Sequence, residues 1–510
     1  MSEPAQPSYQ SVPSSPAGAP TAAASAAAPH AAGRLEDLLP CFQGIVPSII
    51  ATCSADGEPN VTYISQVYYV DPKRLALSCQ FFNKTRRNIA GNPYATVISF
   101  HPVTFEAWRL RLRFDHSEYD GPLFDTMAMR IQVIASHTGM AGVFKLLSAD
   151  VYDVLAIEPV ERFLLPPDPV LDAQPQPLPA GPLTELRGVH VVSERIARAR
   201  DLEGLLAGAL AALDELLGFS HSMILVPQEE SGRLVAIAMR GYGPHGIGAE
   251  VAIGEGILGT VAEHRRMIRV AGMESALRYG RAIRGRVEER GEECDRLSPE
   301  IPLPGLPDAQ ALLALPLLAG DRLVGVLSVE SRDPLCFDEW DEAFLQILGN
   351  QIAMGIDRMQ AADEEAPCDG AEPAGSSAAG AQPGETQPGE TQPGETQQRR
   401  TFAYDARDDS VFVDGEYLVR NVPGKILWKL LNVSRQEGRN EFTNRELRLD
   451  PSLGLPPIKD NLESRLILLR KRLAQKCPEV RLVPVRRGRF VLEMDCAITL
   501  ADSAPGSPPA

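Results

Sequence analysis

Two periodicities alternate along the chain and divide it into three stretches. In the first, Ser48-Ile49-Ile50-Ala51-Thr52-Cys53 and Val61-Thr62-Tyr63-Ile64-Ser65 flank the turn Ala55-Asp56-Gly57-Glu58-Pro59, which predicts a strand, a hairpin turn and a strand. Leu75 to Gln80 and Ala95 to Phe100 predict further strands, with a short helix over Thr85 to Ile89 ahead of Asn92-Pro93. Many strands with few helices predict a small barrel. From residue 183 the period becomes helical. Leu186, Val189, Val192 and Ile196 line one face, and Leu205, Leu206, Leu210, Leu213 and Leu217 line a second, the runs splitting near Asp201. Strands at Ser222 to Val226 and Gly232 to Ala238 follow. A turn at Gly254, Gly256 and Gly259 then enters a helix, followed by strands around Ala314 to Leu318 and Val324 to Glu330. A last helix, Phe337 to Met359, carries Phe344, Ile347, Leu348, Ile352 and Ile356 as an apolar stripe.

In the third stretch short strands are predicted at Phe402 to Tyr404, Val411 to Val413 and Tyr417 to Val419. A helix near Pro423 to Arg435 turns Ile426, Leu427, Leu430 and Leu431 inward, with Pro423 suited to its first turn. Thr443-Asn444-Arg445-Glu446 forms a capping box for a short helix. Ile458 to Lys476 predicts a third helix with Leu462, Leu466, Leu469 and Leu473 at core spacing, and Val480 to Glu493 predicts a hairpin around Arg486-Arg487-Gly488-Arg489.

Composition places the boundaries. Residues 1–33 are an Ala, Ser and Pro tail, 166–182 a Pro-rich linker, and 361–400 a spacer repeating Gln-Pro-Gly-Glu-Thr from Gln382, Gln387 and Gln392. The folded units are then 34–165, 183–360 and 401–495, with 496–510 a tail, and the fold class is α+β multidomain. A chain of 510 residues with 44% hydrophobic and 23% charged residues is ordinary globular material, and no apolar run is long enough to span a bilayer. The N-terminal tail lacks the basic and Leu-rich regions of a signal peptide, so a cytoplasmic location is expected. None of the eight cysteines forms a C-x-x-C pair, which signals neither zinc site nor disulfide framework, and His101, His116 and His137 are too scattered to suggest a metal site. Thr401 to Asp495 holds 18 Lys and Arg against 14 Asp and Glu, a basic end on a chain of net charge −17, which points to an anionic partner.

Three family resemblances follow. Gln80-Phe81-Phe82-Asn83-Lys84-Thr85-Arg86-Arg87-Asn88-Ile89-Ala90-Gly91-Asn92-Pro93 resembles the basic turn of the pyridoxamine 5′-phosphate oxidase-like, flavin-binding split barrels. That resemblance implies FMN as cofactor, with Lys84, Thr85 and Arg86 at its phosphate and Thr62 and Ser65 at the flavin edge. The Trp- and Arg-containing segment of the true oxidases has no counterpart here, so no catalytic residues are assigned. Residues 183–360 resemble a GAF domain, an α/β sandwich with an antiparallel sheet that binds small molecules and dimerises. Of the Asn-Lys-x-x-x-Phe-Asp-Glu signature of cyclic-nucleotide-binding members only Phe337-Asp338-Glu339 remains, and Gly272 to Gln310 is a long insertion with Arg278, Arg281, Arg284, Arg286, Arg290 and Cys294. The insertion reads either as a ligand lid or as an exposed helix laced with Glu288, Glu289, Glu292 and Glu293.

Arg487-Gly488-Arg489-Phe490-Val491-Leu492 and Leu469-Arg470-Lys471-Arg472-Leu473 resemble the wing and third helix of response-regulator winged-helix domains. The resemblance implies phosphate contact by Arg470, Lys471, Arg487 and Arg489 and base-edge contact by Arg465. Ile467 and Leu468 widen the apolar face of that helix, which suits protein contact or a larger core. The leading expectation is a one-component transcriptional regulator, its expected partners being DNA, an unidentified GAF ligand and a second copy of the chain. An FMN-dependent oxidoreductase and a protein-binding scaffold are the alternatives.

Overall fold

The computed structural model describes residues 34–160, 182–364 and 399–502, apart from 45–46, 81–83, 103, 229–230, 244–245, 291–296, 301–303, 456–461 and 487. The N-terminal tail, residues 503–510, the Gln-Pro-Gly-Glu-Thr repeats, most of the Pro-rich linker, Phe81 to Asn83, Cys294 and Arg487 therefore lie outside the described residues.

The first unit opens with a 3-10 helix, Leu35–Phe42, and contains β1 (Ser48–Cys53), β2 (Pro59–Ile64), β3 (Val67–Asp71), β4 (Arg74–Cys79), α1 (Lys84–Gly91), β5 (Tyr94–Phe100), β6 (Ala107–Glu118), α2 (Pro122–His137) and β7 (Ser148–Pro159). The strands form one antiparallel seven-stranded sheet in the order β2-β1-β5-β6-β7-β4-β3. Strand alternation sends Leu75, Leu77, Val97, Leu110 and Leu112 into a core closed by Leu35, Leu38 and Tyr152. Register shifts at Arg111/Leu112 and Phe114/His116 bend the two long strands. The sequence pattern had no account of residues 121–146. Pro122 opens α2 there, and its buried Met127, Met129, Ile131 and Val133 face two cores at once.

The middle unit runs α3 (Pro182–Arg198), α4 (Leu202–Leu217), β8 (His221–Gln228), β9 (Arg233–Arg240), β10 (Glu250–Ala252), α5 (Gly256–His264), β11 (Ile268–Ala271), α6 (Met273–Arg290), β12 (Ala311–Ala319), β13 (Arg322–Ser331) and α7 (Glu339–Glu364). Asp201 caps α4 by accepting the Gly204 N–H at 2.7 Å, which is why the helical runs split there. The antiparallel sheet, β10-β9-β8-β13-β12-β11, sends Ile224, Leu313, Leu315, Leu327 and Val329 toward α3, α4 and α7. Met223, Leu225, Leu312, Ala314 and Val326 face the other way, onto Ile257, Leu258 and Val261 of α5. Met129 and Val133 of α2 complete that second cluster, so the first two units share a core. The Ser136 hydroxyl accepts the buried Gly256 N–H at 2.7 Å across the junction. The three turn glycines have distinct causes. Gly254 and Gly256 have φ of +87° and +61°, and a Cβ at Gly259 would lie 2.1 Å from the Ala252 carbonyl oxygen. The strand before them, β10, pairs antiparallel with β9, which excludes a dinucleotide βαβ turn.

The last unit consists of β14 (Arg399–Asp405), β15 (Ser410–Val413), β16 (Glu416–Val419), α8 (Asn421–Glu437), β17 (Glu441–Thr443), α9 (Asn444–Arg448), α10 (Leu462–Lys476), β18 (Val480–Arg486), β19 (Arg489–Met494) and β20 (Ala497–Asp502). Thr443 Oγ1 accepts the Glu446 N–H at 3.1 Å, completing the cap expected for α9. One sheet is ordered β16-β15-β14-β20, the other β17-β19-β18, and Phe402, Ile426, Leu430, Phe442, Leu466, Leu469 and Phe490 fill the space between. Residues 497–502, expected in a tail, instead pair parallel with β14 from Arg399↔Ala497 to Tyr404↔Asp502. This correction has a packing cause: Ile498 and Leu500 lie against the core of the unit. Among the described residues no helix is long and apolar enough to cross a membrane.

Candidate functional site

Strands β2 and β4 and the start of α1 form one wall of a cavity of about 620 Å³, and α6 of the middle unit forms the facing wall. Three of the five residues expected at a flavin, Thr62, Ser65 and Thr85, line it. The Ser65 hydroxyl donates to Gln80 Oε1 at 2.5 Å and lies 2.8 Å from the Tyr279 hydroxyl of α6. Thr85 Oγ1 accepts from Asn60 Nδ2 at 2.9 Å, which fixes the first turn of α1 against β2. Lys84 and Arg86 turn elsewhere. Lys84 Nζ donates to Glu58 at 2.6 Å, and its ammonium holds the Glu58 carboxyl below its usual range. Arg86 Nη2 donates to the Tyr119 hydroxyl at 3.1 Å and also acts on Cys79, a cavity residue whose thiol burial pushes up.

Two residues given no role at the flavin, the second of them the first residue of the basic-turn motif, also line the cavity. Ser78 Oγ and Gln80 Nε2 are buried with no hydrogen-bond partner among the described residues. Ser78 lies near the end of β4 and Gln80 just beyond it, and this spacing of two is the signal that could have found them, since residues so spaced in extended chain share one face. An unsatisfied buried donor of this kind costs about 1–3 kcal/mol, so a ligand with carbonyl or imine acceptors would be favoured there. The residues present thus fit an FMN-like group: free donors for a ring, apolar walls, and Thr85 at a helix start for a phosphate.

The inserted segment opens with helix α6, most of whose arginines are paired on its surface. Arg278 pairs with Glu274 at 2.6 Å, and Arg281 grips Glu300 through two bonds of 2.8 and 3.0 Å that keep the Glu300 carboxyl below its usual range. Arg284 joins Glu288 and the carbonyls of Thr138 and Ser298. Arg286 alone of these four faces the cavity. A larger cavity, about 710 Å³, opens at the same junction. It is lined by both signs of charge, and Arg269 there already pairs with Glu342 at 2.7 Å.

Helix α10 carries two apolar stripes with different partners. Leu462, Leu466, Leu469 and Leu473 belong to the core of the last unit, whereas Ile467, with no exposed surface, and Leu468 join the middle unit's cluster. The basic residues follow them. Lys471 Nζ donates to the Ile237 carbonyl of β9 at 2.8 Å, and Arg470 pairs with Glu203 of α4 at 3.3 Å. Burial pushes the Lys471 ammonium pKa down. Arg420, just before α8, grips Glu250 of β10 through both carboxylate oxygens. Arg465, expected at a base edge, is 4% exposed, because it sits three residues from Leu462 and Leu468 and four from Leu469 on the inward side. That expectation is corrected for this conformation. Arg489 pairs with Glu441 at 2.8 Å, and Arg487 lies outside the described residues.

Residues 36–137 match the family model described as pyridoxamine 5′-phosphate oxidase, and residues 199–357 match the GAF domain model. Among solved structures the chain is similar to the GAF domain of a phosphoenolpyruvate-protein phosphotransferase from Coxiella burnetii, at 20% identity over 36% of this chain and 98% of that one, TM-score 0.28. It is similar to a free methionine-R-sulfoxide reductase from Neisseria meningitidis, at 18% identity over 36% and 95%, TM-score 0.29. It is similar to an FMN-binding protein from Syntrophomonas wolfei, at 18% identity over 25% and 89%, TM-score 0.21. A search of curated proteins returned no match.

Proposed function

We propose that this chain, which carries a pyridoxamine 5′-phosphate oxidase-type domain and a GAF domain, is a one-component sensory regulator whose last unit is a DNA-binding winged helix. The order of that unit supports the reading: a leading sheet, three helices and a terminal hairpin, with α10 in the place of the helix that enters the major groove. One observation carries it. The face of α10 that would meet DNA is occupied by the GAF domain, through Ile467, Leu468, Arg470 and Lys471. A helix with one apolar stripe for its own core and a second for a neighbour is built to be held and released. In the held state Arg470 pairs with a carboxylate and Lys471 donates to a backbone carbonyl; in the released state both are free for phosphates.

The GAF domain is the coupler. Its sheet packs α2 of the barrel on one face, while β9 and α4 hold α10. The barrel is the sensor, with FMN the group its cavity suits: Thr85 at the phosphate, and Thr62, Ser65, Ser78 and Gln80 toward the ring. When bound, such a group supplies redox-sensitive ring chemistry. Lys84 and Arg86 would reach the phosphate by leaving Glu58 and Tyr119. The chain acts as a homodimer through the outer face of α7. The stripe expected there is mostly internal, since Leu348, Ile352 and Ile356 are fully buried on their own domain. Trp340, Ile347 and Met354, however, are 70%, 49% and 62% exposed at seven-residue spacing, which keeps them on one side of the helix.

The test is a mobility shift of the intact protein on duplex DNA from its own upstream region. A salt-dependent shift is expected. Arg470→Ala with Lys471→Ala abolishes it even though those substitutions also loosen the hold of the GAF domain. No shift at low salt, in the wild type or in a released variant, refutes the regulator. Steady turnover of a nicotinamide donor would favour the FMN-dependent oxidoreductase instead.

A further inference from the structure

We propose that α6 of the GAF domain is the second wall of the barrel's ligand site, so that a planar aromatic ligand bearing a phosphate, of the FMN class, is held between the two domains with Tyr279 and Arg286 as its GAF-side residues. The inference rests on reading the barrel as a sensor and says how its occupancy reaches the GAF domain. A volume of about 620 Å³ lies inside the range of roughly 300–1,000 Å³ usual for small-molecule sites. Its two walls belong to different domains, and the hydroxyls of Ser65 and Tyr279, 214 residues apart in sequence, meet across it at 2.8 Å. The barrel wall offers the two unsatisfied donors, Ser78 Oγ and Gln80 Nε2. The α6 wall offers a cation. Arg278, Arg281 and Arg284 each hold a carboxylate, whereas Arg286 has none among the described residues and is exposed.

The wall is also fixed. Ile283 of α6 is buried in the barrel's cluster with Met127, Ile131 and Met140, and Gly280 lets α6 approach so closely that a Cβ there would lie 2.9 Å from Thr138 Cγ2. Leu277, from the same helix, is buried in the GAF cluster with Leu312 and Ala314. A ligand that moves or stiffens α6 therefore acts on the GAF core directly, with no further relay.

The experiment uses the full chain, FMN and riboflavin as probes, flavin fluorescence for affinity, and hydrogen–deuterium exchange for α6. FMN is expected to bind, to bind more tightly than riboflavin, and to slow exchange over residues 273–290. Arg286→Glu is expected to weaken FMN at least about tenfold, and Tyr279→Phe less, because it keeps the ring. Arg286 is exposed, so loss of folding does not confound the first variant. No FMN binding by the wild type overturns the site. Binding that is indifferent to Arg286→Glu and leaves α6 exchange unchanged overturns the second wall. DNA binding measured on the same samples separates these failures from failure of the regulator, which would appear as no DNA binding with or without flavin.

Discussion

Replacing Glu250 with arginine breaks the hold on the C-terminal unit without touching any residue of that unit. Glu250 lies on the edge strand β10, its side chain is 16% exposed, and it accepts from both Nε and Nη2 of Arg420, with Arg233 a further 3.9 Å away. Exposed ion pairs contribute about 0.2–1 kcal/mol and breaking fully buried ones costs about 3–5 kcal/mol. A bidentate, part-buried pair falls between, near ~2 kcal/mol, which is roughly thirtyfold at 1.4 kcal/mol per decade. The ratio of held to released α10 should fall by that factor. DNA affinity should rise by up to the same factor, levelling off once the released form predominates. Fluorescence anisotropy of a labelled duplex at fixed salt measures it. Adding Arg420→Glu to Glu250→Arg restores the pair with its signs exchanged and should return the affinity toward that of the wild type. Equal affinities for wild type, single and double variants would refute the idea that docking on the GAF domain governs access to DNA.

Three further outcomes are expected. Ser136→Ala leaves the buried Gly256 N–H without its acceptor, at about 1–3 kcal/mol, and should separate the melting of barrel and GAF domains in calorimetry, where the wild type melts them together. Gly259→Ala drives a methyl group to within 2.1 Å of the Ala252 carbonyl and should destabilise the GAF domain by about 1–3 kcal/mol, read as a lower Tm. Arg400 donates to Asp414 and Glu479 at 2.8 Å each and holds both carboxyls below their usual range. Depressed carboxyl pKa values give stability that is present above the ordinary range near ~4 and lost as pH falls through the lower folded values. Arg400→Ala should therefore lower the Tm of the C-terminal unit at pH 7, start its acid unfolding at higher pH, and make no difference once both carboxyls are protonated, as circular dichroism across pH will show.

Local patterns were legible in the sequence wherever one element answers to one core. The β1 and β2 hairpin, the Asp201 break, the Thr443 cap and the leucine stripe of α10 all follow from periodicity and capping chemistry. What escaped was what serves two cores. Helix α2 is apolar on two sides, facing both barrel and GAF clusters, and so has no clean helical stripe. Ile467 and Leu468 stood out as excess apolar surface, but nothing local could say that the GAF domain covers them. The cavity shows the same limit. Thr62, Ser65 and Thr85 sit on the predicted strand and turn, whereas Tyr279 joins them only through the packing of α6 on α2. Residues 497–502 read as tail because a six-residue edge strand ending in Asp502 carries too little pattern until β14 supplies its partner.

The most direct measurement of the central claim is Förster transfer between fluorophores placed as noncanonical residues at Ser231, in the turn before β9, and at Ala474, on the exposed side of α10. The account predicts high transfer in the free protein, and a fall when duplex DNA is added or when Glu250→Arg is introduced. DNA binding with transfer unchanged would contradict it.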